Sequence, residues 1–307
     1  KELNKDNYLF KNINILIGDN ILLPFIRLKE YAEIKGMQVG TNDVISIEEA
    51  DLIVFVDMPN KDSSIFKRAI KLNKPLYMLA LESPIVKPET YNKNNHKYFK
   101  KVFTWSDDLI KNDSLKYIKI NYSYEIPKII SKDINNRSNL SCMIAGNKKV
   151  GFKNELYSKR KEIIDWFETN HPEDFDLYGI GWNEATIGDN KYINFIMRRS
   201  FILRKLFSKK YTSYKGKVDR KKPILEKYKF SFCYENVKDV DGYITEKIFD
   251  SLFTGCVPIY LGANNIDDYI PKNCFIDVRE FKSMNELYAF ISHMDDKTHI
   301  HYLDNIE

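Results

Sequence analysis

Short apolar runs alternate with segments of helical spacing from the start of the chain. Asn14 to Ile17 reads as a strand. Leu23 to Ile34 spaces its apolar residues as a helix does and stops at Gly36, a residue suited to the left-handed turn after a helix. Asp51 to Val56 is a continuous apolar run, the pattern of a parallel strand covered on both faces. Ser63 to Leu72 reads as a capped helix, Leu76 to Leu81 and Val102 to Trp105 as further buried strands, and Tyr117 to Ile120 as the last of the series. Strands alternating with helices predict βαβ units in a doubly wound parallel sheet.

The alternation lapses over Ser131 to Asn139, where Lys, Asp, Asn and Arg surround a single Ile, and this stretch reads as a linker. Beyond it, strands are expected at Cys142 to Ala145, Phe175 to Tyr178, Tyr228 to Tyr234, Cys256 to Leu261 and Phe275 to Val278. Helices are expected at Leu156 to Trp166, Glu246 to Phe253 and Met284 to His293. The expected organisation is an α/β chain of two Rossmann-like, doubly wound domains, residues 1–130 and 140–307, joined by 131–139 and facing across a cleft. Ligands of such sheets bind outside the carboxyl ends of the strands.

Composition narrows this little. The 307 residues are 43% hydrophobic and 30% charged, which fits two globular domains and excludes disorder. A net charge of +5 is too small an excess to predict a nucleic-acid partner. The best apolar stretch, Ile13 to Ile26, is broken by Gly18, Asp19, Asn20 and Pro24, and no run reaches the roughly 18 residues of a membrane span. The first residue is Lys rather than Met, which leaves room for an anchor ahead of it. Four cysteines make no disulfide framework in so long a chain. Cys142, Cys233 and Cys256 lie in strand-like runs, so reduced thiols and a cytoplasmic location are expected. Asn112, Asn121, Asn136 and Asn139 each open an Asn-x-Ser/Thr triplet, read here as chance in an Asn-rich chain.

The chemistry concentrates between Tyr228 and Phe281. Tyr228, Phe230, Phe232 and Tyr234 share one strand face, while Ser231 and Cys233 keep the other thin enough for a helix to pack close. Glu235 and Asn236 follow at the carboxyl edge. A loop then crosses to Thr245, whose hydroxyl suits an N-cap, with Glu246 and Lys247 in the first helical turn. Ile248, Phe249, Leu252 and Phe253 form the apolar stripe, Gly255 ends the helix, and Val257 to Leu261 returns as the next strand. Such a unit aims a helix N-terminus at the ligand edge, where free N–H groups and the dipole favour phosphate, and Lys247 adds a full charge there. A first-turn Glu also occurs simply because the dipole favours it. Beside Lys247, Asn236 and Tyr243, however, Glu246 points to a sugar nucleotide: the diphosphate needs cations and an oxocarbenium-like sugar gains from a carboxylate.

At these residues the sequence resembles glycosyltransferase family 10, the α-1,3/1,4-fucosyltransferases. The family's Y-K-F-x-x-C-x-E-N strand is matched by Tyr228, Lys229, Phe230, Cys233, Glu235 and Asn236. Its Y-[IV]-T-E-K is matched by Tyr243, Thr245, Glu246 and Lys247, and its V-P-I-Y-x-G by Val257 to Tyr260 with Gly262. Val237 to Gly242 makes the spacer one residue longer than in many members. The resemblance implies a GT-B fold, GDP-fucose as donor and inversion at the anomeric carbon, with residues 140–307 binding the donor and 1–130 the glycan acceptor. It further implies that Lys247 contacts the diphosphate, that Asn236 and Glu246 serve the ribose or the fucosyl ring, Glu246 also as a catalytic carboxylate, that Tyr243 lines the donor pocket, and that Glu235 and Thr245 belong to the donor-binding set. An Arg on an early donor-domain helix grips the phosphates in this family; Arg160, between Lys159 and Lys161, is the candidate, against the alternative of a solvated basic face. The family's general base lies near an E-S-P triplet at a strand end. Glu82-Ser83-Pro84 ends the run LYMLAL, so Glu82 is expected there with a pKa lifted by partial burial, the alternative being a turn residue before Pro84.

Other motifs weigh less. Gly146 to Lys153 looks like a P-loop, but its Lys comes one place late and Asn154 stands where Ser or Thr is needed, so an NTPase is excluded. Asp239-Val-Asp241 is a D-x-D triplet of the Mn²⁺-binding kind, yet it sits in the spacer, and no essential metal is expected, Mn²⁺ or Mg²⁺ being at most stimulatory. His299 and His301 read as bland residues of an exposed tail. Apolar Ile193, Phe195 and Ile196 precede a strongly basic stretch, 198–222, whose single acid is Asp219. That composition fits peripheral contact of 193–222 with an anionic inner membrane face and a lipid-linked acceptor, or else a basic solvated insertion. A transferase using another GDP-6-deoxyhexose and a non-catalytic polyanion-binding module are the alternatives to a fucosyltransferase.

Overall fold

The computed structural model describes residues 2–11, 19–121, 126–182 and 210–306. The expected strand over residues 14–17 and the apolar–basic segment 193–209 lie outside these. The chain groups into two compact units: 1–128 with 235–249 and 262–270, and 129–234 with 250–261 and 271–307. Sequence order alone keeps 235–249 and 262–270 with the second domain; in the structure both stretches pack with the first unit.

In the first unit, β1 (Ile53–Val56), β2 (Leu76–Ala80), β3 (Lys101–Thr104) and β4 (Tyr117–Lys119) form a parallel sheet in that order, with Val54 beside Tyr77 and Phe103 beside Ile118. Helix α1 spans Leu23–Ile34, α2 Ser64–Lys71, α3 Pro88–Tyr91 and α4 Asp107–Asn112. Ser63 caps α2 by accepting from the Phe66 N–H at 3.3 Å, as its position predicts, and Phe66 and Ala69 are buried in a core with Met78, Phe99 and Val102. The run that becomes β1 is not covered on both faces. Phe55 packs edge-on against Phe66 and Phe99, while Val54 and Val56 on the opposite face are 46% and 47% exposed.

In the second unit, β5 (Asn139–Ile144), β6 (Phe175–Tyr178), β7 (Tyr214–Gly216), β8 (Tyr228–Tyr234), β9 (Val257–Leu261) and β10 (Ile276–Asp277) form a parallel sheet ordered β10-β9-β8-β5-β6-β7. The chain runs outward from β5 through β7 and then returns to β8 on the other side. The order therefore reverses between β5 and β8, which makes this sheet doubly wound and marks its ligand edge. Helices here are α5 (Tyr157–Asn170), α6 (Lys222–Leu225), α7 (Glu246–Phe253), α8 (Met284–Ser292) and α9 (Asp296–Ile306). Ile163, Ile164 and Phe167 of α5 are buried, and Phe167 stacks on Phe175 at 4.6 Å. The thin face of β8 is real: Cys233 Sγ lies 3.1 Å from Ser251 Oγ. All four cysteines are buried free thiols.

The stretch read as a linker is anchored. Arg137 is buried and donates to the carbonyls of Tyr228 at 3.0 Å and Thr254 at 2.6 Å, so residues before β5 are pinned to the second unit. The tail expected to be exposed is helix α9 instead, and His299 is buried within it, its Nε2 3.2 Å from the Lys229 carbonyl.

Candidate functional site

The family-like motif begins where β8 ends. Glu235 is fully buried, an expensive position for a carboxylate unless it is paired. Its Oε1 accepts from the Thr245 backbone N–H at 2.7 Å, and its Oε2 accepts from the Thr245 hydroxyl at 2.7 Å and from Lys247 Nζ at 3.3 Å. Lys247 Nζ also donates to Thr245 Oγ1 at 2.9 Å. This ring closes the loop after β8 and fixes the first turn of α7. The Thr245 hydroxyl, expected as a helix cap, gives its proton to Glu235.

Exposure divides the motif into two groups. Glu235, Tyr243 and Thr245 are buried, whereas Asn236, Glu246 and Lys247 stay partly open, with 27% and 21% of the Glu246 and Lys247 side chains exposed. The accessible side chains at the start of α7 are therefore Asn236, Glu246 and Lys247; Tyr243 accepts from Asn236, and Glu235 and Thr245 accept from Lys247. Tyr243, expected to line a pocket, is instead packed on Trp105, ring centroids 4.7 Å apart, and its hydroxyl accepts from Asn236 Nδ2 at 3.3 Å. Burial, then Glu235, with Glu246 and Glu82 adding, pushes the Tyr243 hydroxyl well above its usual range.

Trp105 joins this motif to the E-S-P turn. Its Nε1 donates to the Leu81 carbonyl at 3.1 Å, and its ring also meets Tyr91, whose hydroxyl donates to the Glu82 carbonyl at 2.5 Å. Ser83 Oγ is fully buried and makes no hydrogen bond of ordinary geometry, although it lies close enough to the Tyr243 hydroxyl to act on its acidity. The Glu82 side chain is exposed. The partial burial expected of it is absent, because the turn places its backbone, not its carboxylate, against the protein.

The buried carboxylate here is one that sequence reasoning missed. Asp57 directly follows β1 in a left-handed conformation with φ 58°, and its Oδ1 accepts from the N–H groups of Leu81 at 3.0 Å and Glu82 at 3.1 Å. Burial pushes its carboxyl up to about 6 against the pull of those two amides, with the Glu82 charge adding to the rise. The available signal was an acid closing an apolar strand run at a ligand edge.

Arg160 is neither solvated nor on an open face. It is buried in α5, its Nη2 donating to the Tyr234 carbonyl at 2.7 Å and its guanidinium lying over the Tyr157 ring at 4.9 Å. That contact puts it at the carboxyl end of β8, beside the strand-order reversal. The loop after β5 is laced to the one after β6: the Asn147 N–H donates to the Ile180 carbonyl at 2.8 Å and the Trp182 Nε1 to Ala145 at 2.6 Å. Among the described residues, the cluster with metal-ligand spacing is His171, Glu173 and Asp174, and it includes neither Asp239 nor Asp241. No helix of the described residues is long and apolar enough to cross a membrane.

Residues 190–304 match the family model described as glycosyltransferase family 10 (fucosyltransferase), C-terminal. An alpha-(1,4)-fucosyltransferase of Arabidopsis thaliana is 45% identical over 69 residues, covering 22% of this chain and 17% of its own length. The alpha-(1,3)-fucosyltransferase FucT of Helicobacter pylori is 38% identical over 91 residues, covering 28% of this chain and 18% of its own. The chain thus matches under a fifth of the length of these relatives. A crystal structure of an alpha1,3-fucosyltransferase aligns with 91% of this chain and 78% of its own at a TM-score of 0.55 and 17% identity. The expected fold, α/β of the GT-B type, is borne out by this likeness and by the parallel sheets.

Proposed function

From the match of residues 190–304 to the family model described as glycosyltransferase family 10 (fucosyltransferase), C-terminal, we propose that this protein transfers fucose from GDP-fucose to a hydroxyl of a glycan acceptor, with inversion and without an essential metal. The observation that carries the reading is the division of the motif. The Glu235–Thr245 ring is sealed behind the first turn of α7, and Asn236, Glu246 and Lys247 are left accessible at a helix N-terminus. A positive helix end and a lysine suit a departing diphosphate, and a neighbouring carboxylate suits a sugar acquiring positive charge. In the displacement, the acceptor oxygen forms the new bond to the anomeric carbon as the bond to the GDP oxygen breaks, and Glu82 takes the acceptor's proton. Glu82 is free to meet an acceptor because Asp57 and Tyr91 hold its backbone rather than its carboxylate. Glu235, Tyr243 and Thr245 act as positioning residues.

The test is a hydrolysis panel of GDP-fucose, GDP-mannose and UDP-sugars, read by nucleotide release. Release of GDP from GDP-fucose above all others is expected. Preferential turnover of a UDP-sugar, or of GDP-mannose, would overturn the donor assignment.

A further inference from the structure

The donor-motif spacer is held by a polar cluster that none of the motif residues belongs to. Asp107, the first residue of α4, accepts at Oδ1 from Lys119 Nζ at 2.6 Å, and at Oδ2 from Asn265 Nδ2 at 2.8 Å and the Tyr269 hydroxyl at 2.7 Å. Asn265 Oδ1 in turn accepts from the Gly242 N–H at 2.9 Å, and Lys119 Nζ also donates to the Trp105 carbonyl at 2.7 Å. Gly242 immediately precedes Tyr243, whose ring rests on Trp105. The fit at Gly242 is tight. Its φ is +79°, and a Cβ there would lie 2.3 Å from the Trp105 carbonyl oxygen and 2.9 Å from both Asp107 Oδ2 and Lys119 Nζ. Thus a carboxylate on α4, a lysine on β4 and two residues from 262–270 converge on the backbone just ahead of Tyr243.

We propose that Asp107 is a positioning residue for the donor motif: through Asn265 it fixes the Gly242 backbone, and so the placement of Tyr243 and of the Asn236 amide that Tyr243 accepts from. This rests on the fucosyltransferase reading, because it assigns the cluster a role in nucleotide-sugar binding. The chemistry suits a latch. Burial pushes the Asp107 carboxyl up, but its bonds to Lys119, Tyr269 and Asn265 outweigh that and hold it below the usual range, so it stays charged while its neighbours direct their protons at it.

The test uses the whole protein with Asp107→Asn and, as a milder change that removes a single hydroxyl, Tyr269→Phe. Hydrogen exchange of the peptide covering residues 238–247 is measured first, without ligand, and GDP affinity second, by calorimetry. Exchange in that peptide should rise at least threefold in Asp107→Asn and less in Tyr269→Phe. GDP affinity should fall roughly tenfold and to a smaller degree in the same order, with peptides of β1 and β2 unchanged. Unchanged exchange in 238–247 would overturn the latch. Raised exchange with unaltered GDP affinity would overturn its positioning role. If the wild-type protein itself binds no GDP, the functional reading fails and the proposal with it, a result that the wild-type titration alone identifies.

Discussion

Replacing Asp57 with Asn isolates the charge of a buried carboxylate that accepts from the backbone of the E-S-P turn. The change keeps an oxygen that accepts from the Leu81 and Glu82 amides, and Asn tolerates the left-handed φ of 58° at least as well as Asp. What is lost is the cost of holding an ionised group out of water. The native carboxyl titrates at about 6 against a reference of 3.8, and a difference of that size corresponds to about 3 kcal/mol. The sign follows from which state holds the proton more tightly. Here it is the folded state, so wild-type stability from this group is greatest below pH 4 and declines as pH rises through 6, about half of the cost developing between pH 5 and pH 8. Urea unfolding of both proteins at pH 5 and pH 8 reads this directly. The variant should gain on the wild type by about 1–2 kcal/mol between the two pH values, whatever constant offset the substitution brings. A stability difference that stays flat with pH, or that moves against the variant, would refute the argument that Asp57 is buried and charged at pH 8.

Further outcomes follow from the same geometry. Lys247→Ala should lose about 2–4 kcal/mol of transition-state stabilisation and also lower the melting temperature, because it takes a cation away from the buried Glu235 carboxylate; Lys247→Arg should restore stability before it restores GDP affinity. Unaltered melting and GDP binding in a folded Lys247→Ala protein would remove Lys247 from the site. Glu82→Gln should lower kcat by about 10²–10⁴ with melting unchanged, since the side chain is exposed; activity within threefold of wild type would pass the role of base to another group. Saturating EDTA should leave most activity in place; activity that chelation removes, that Mn²⁺ restores and that Asp239→Ala with Asp241→Ala abolishes would show that a metal carries the diphosphate.

How far the sequence reaches is clear from particular residues. Tyr228–Tyr234 and Glu246–Phe253 were legible to the residue, because an aromatic alternation and an apolar stripe with a polar start are local patterns. The terminal helix α9 was not, since its few apolar residues sit among Asp, Lys, Thr and His, and the burial of His299 depends on the distant Lys229 carbonyl. Strand β7 is three residues long and follows a basic stretch, leaving too little pattern to see. The placing of 235–249 with the first unit was hidden for the same reason as the role of Asp107. Gly242 meets Trp105, Asp107 and Asn265 across long sequence separations, and no spacing rule connects them. Glu235 was read as a donor contact from its motif, whereas its work is visible only once its bonds to Thr245 and Lys247 are seen.

The central claim, that the Asn236, Glu246 and Lys247 cluster serves an inverting transfer from GDP-fucose, is tested most directly by following the donor and its sugar by proton NMR as the enzyme turns over. Direct displacement predicts that GDP-fucose is consumed in preference to other sugar nucleotides, and that the first sugar product carries the anomeric configuration opposite to that of the donor, before any mutarotation. A first product that retains the donor's configuration, or a UDP-sugar consumed in place of GDP-fucose, would contradict it.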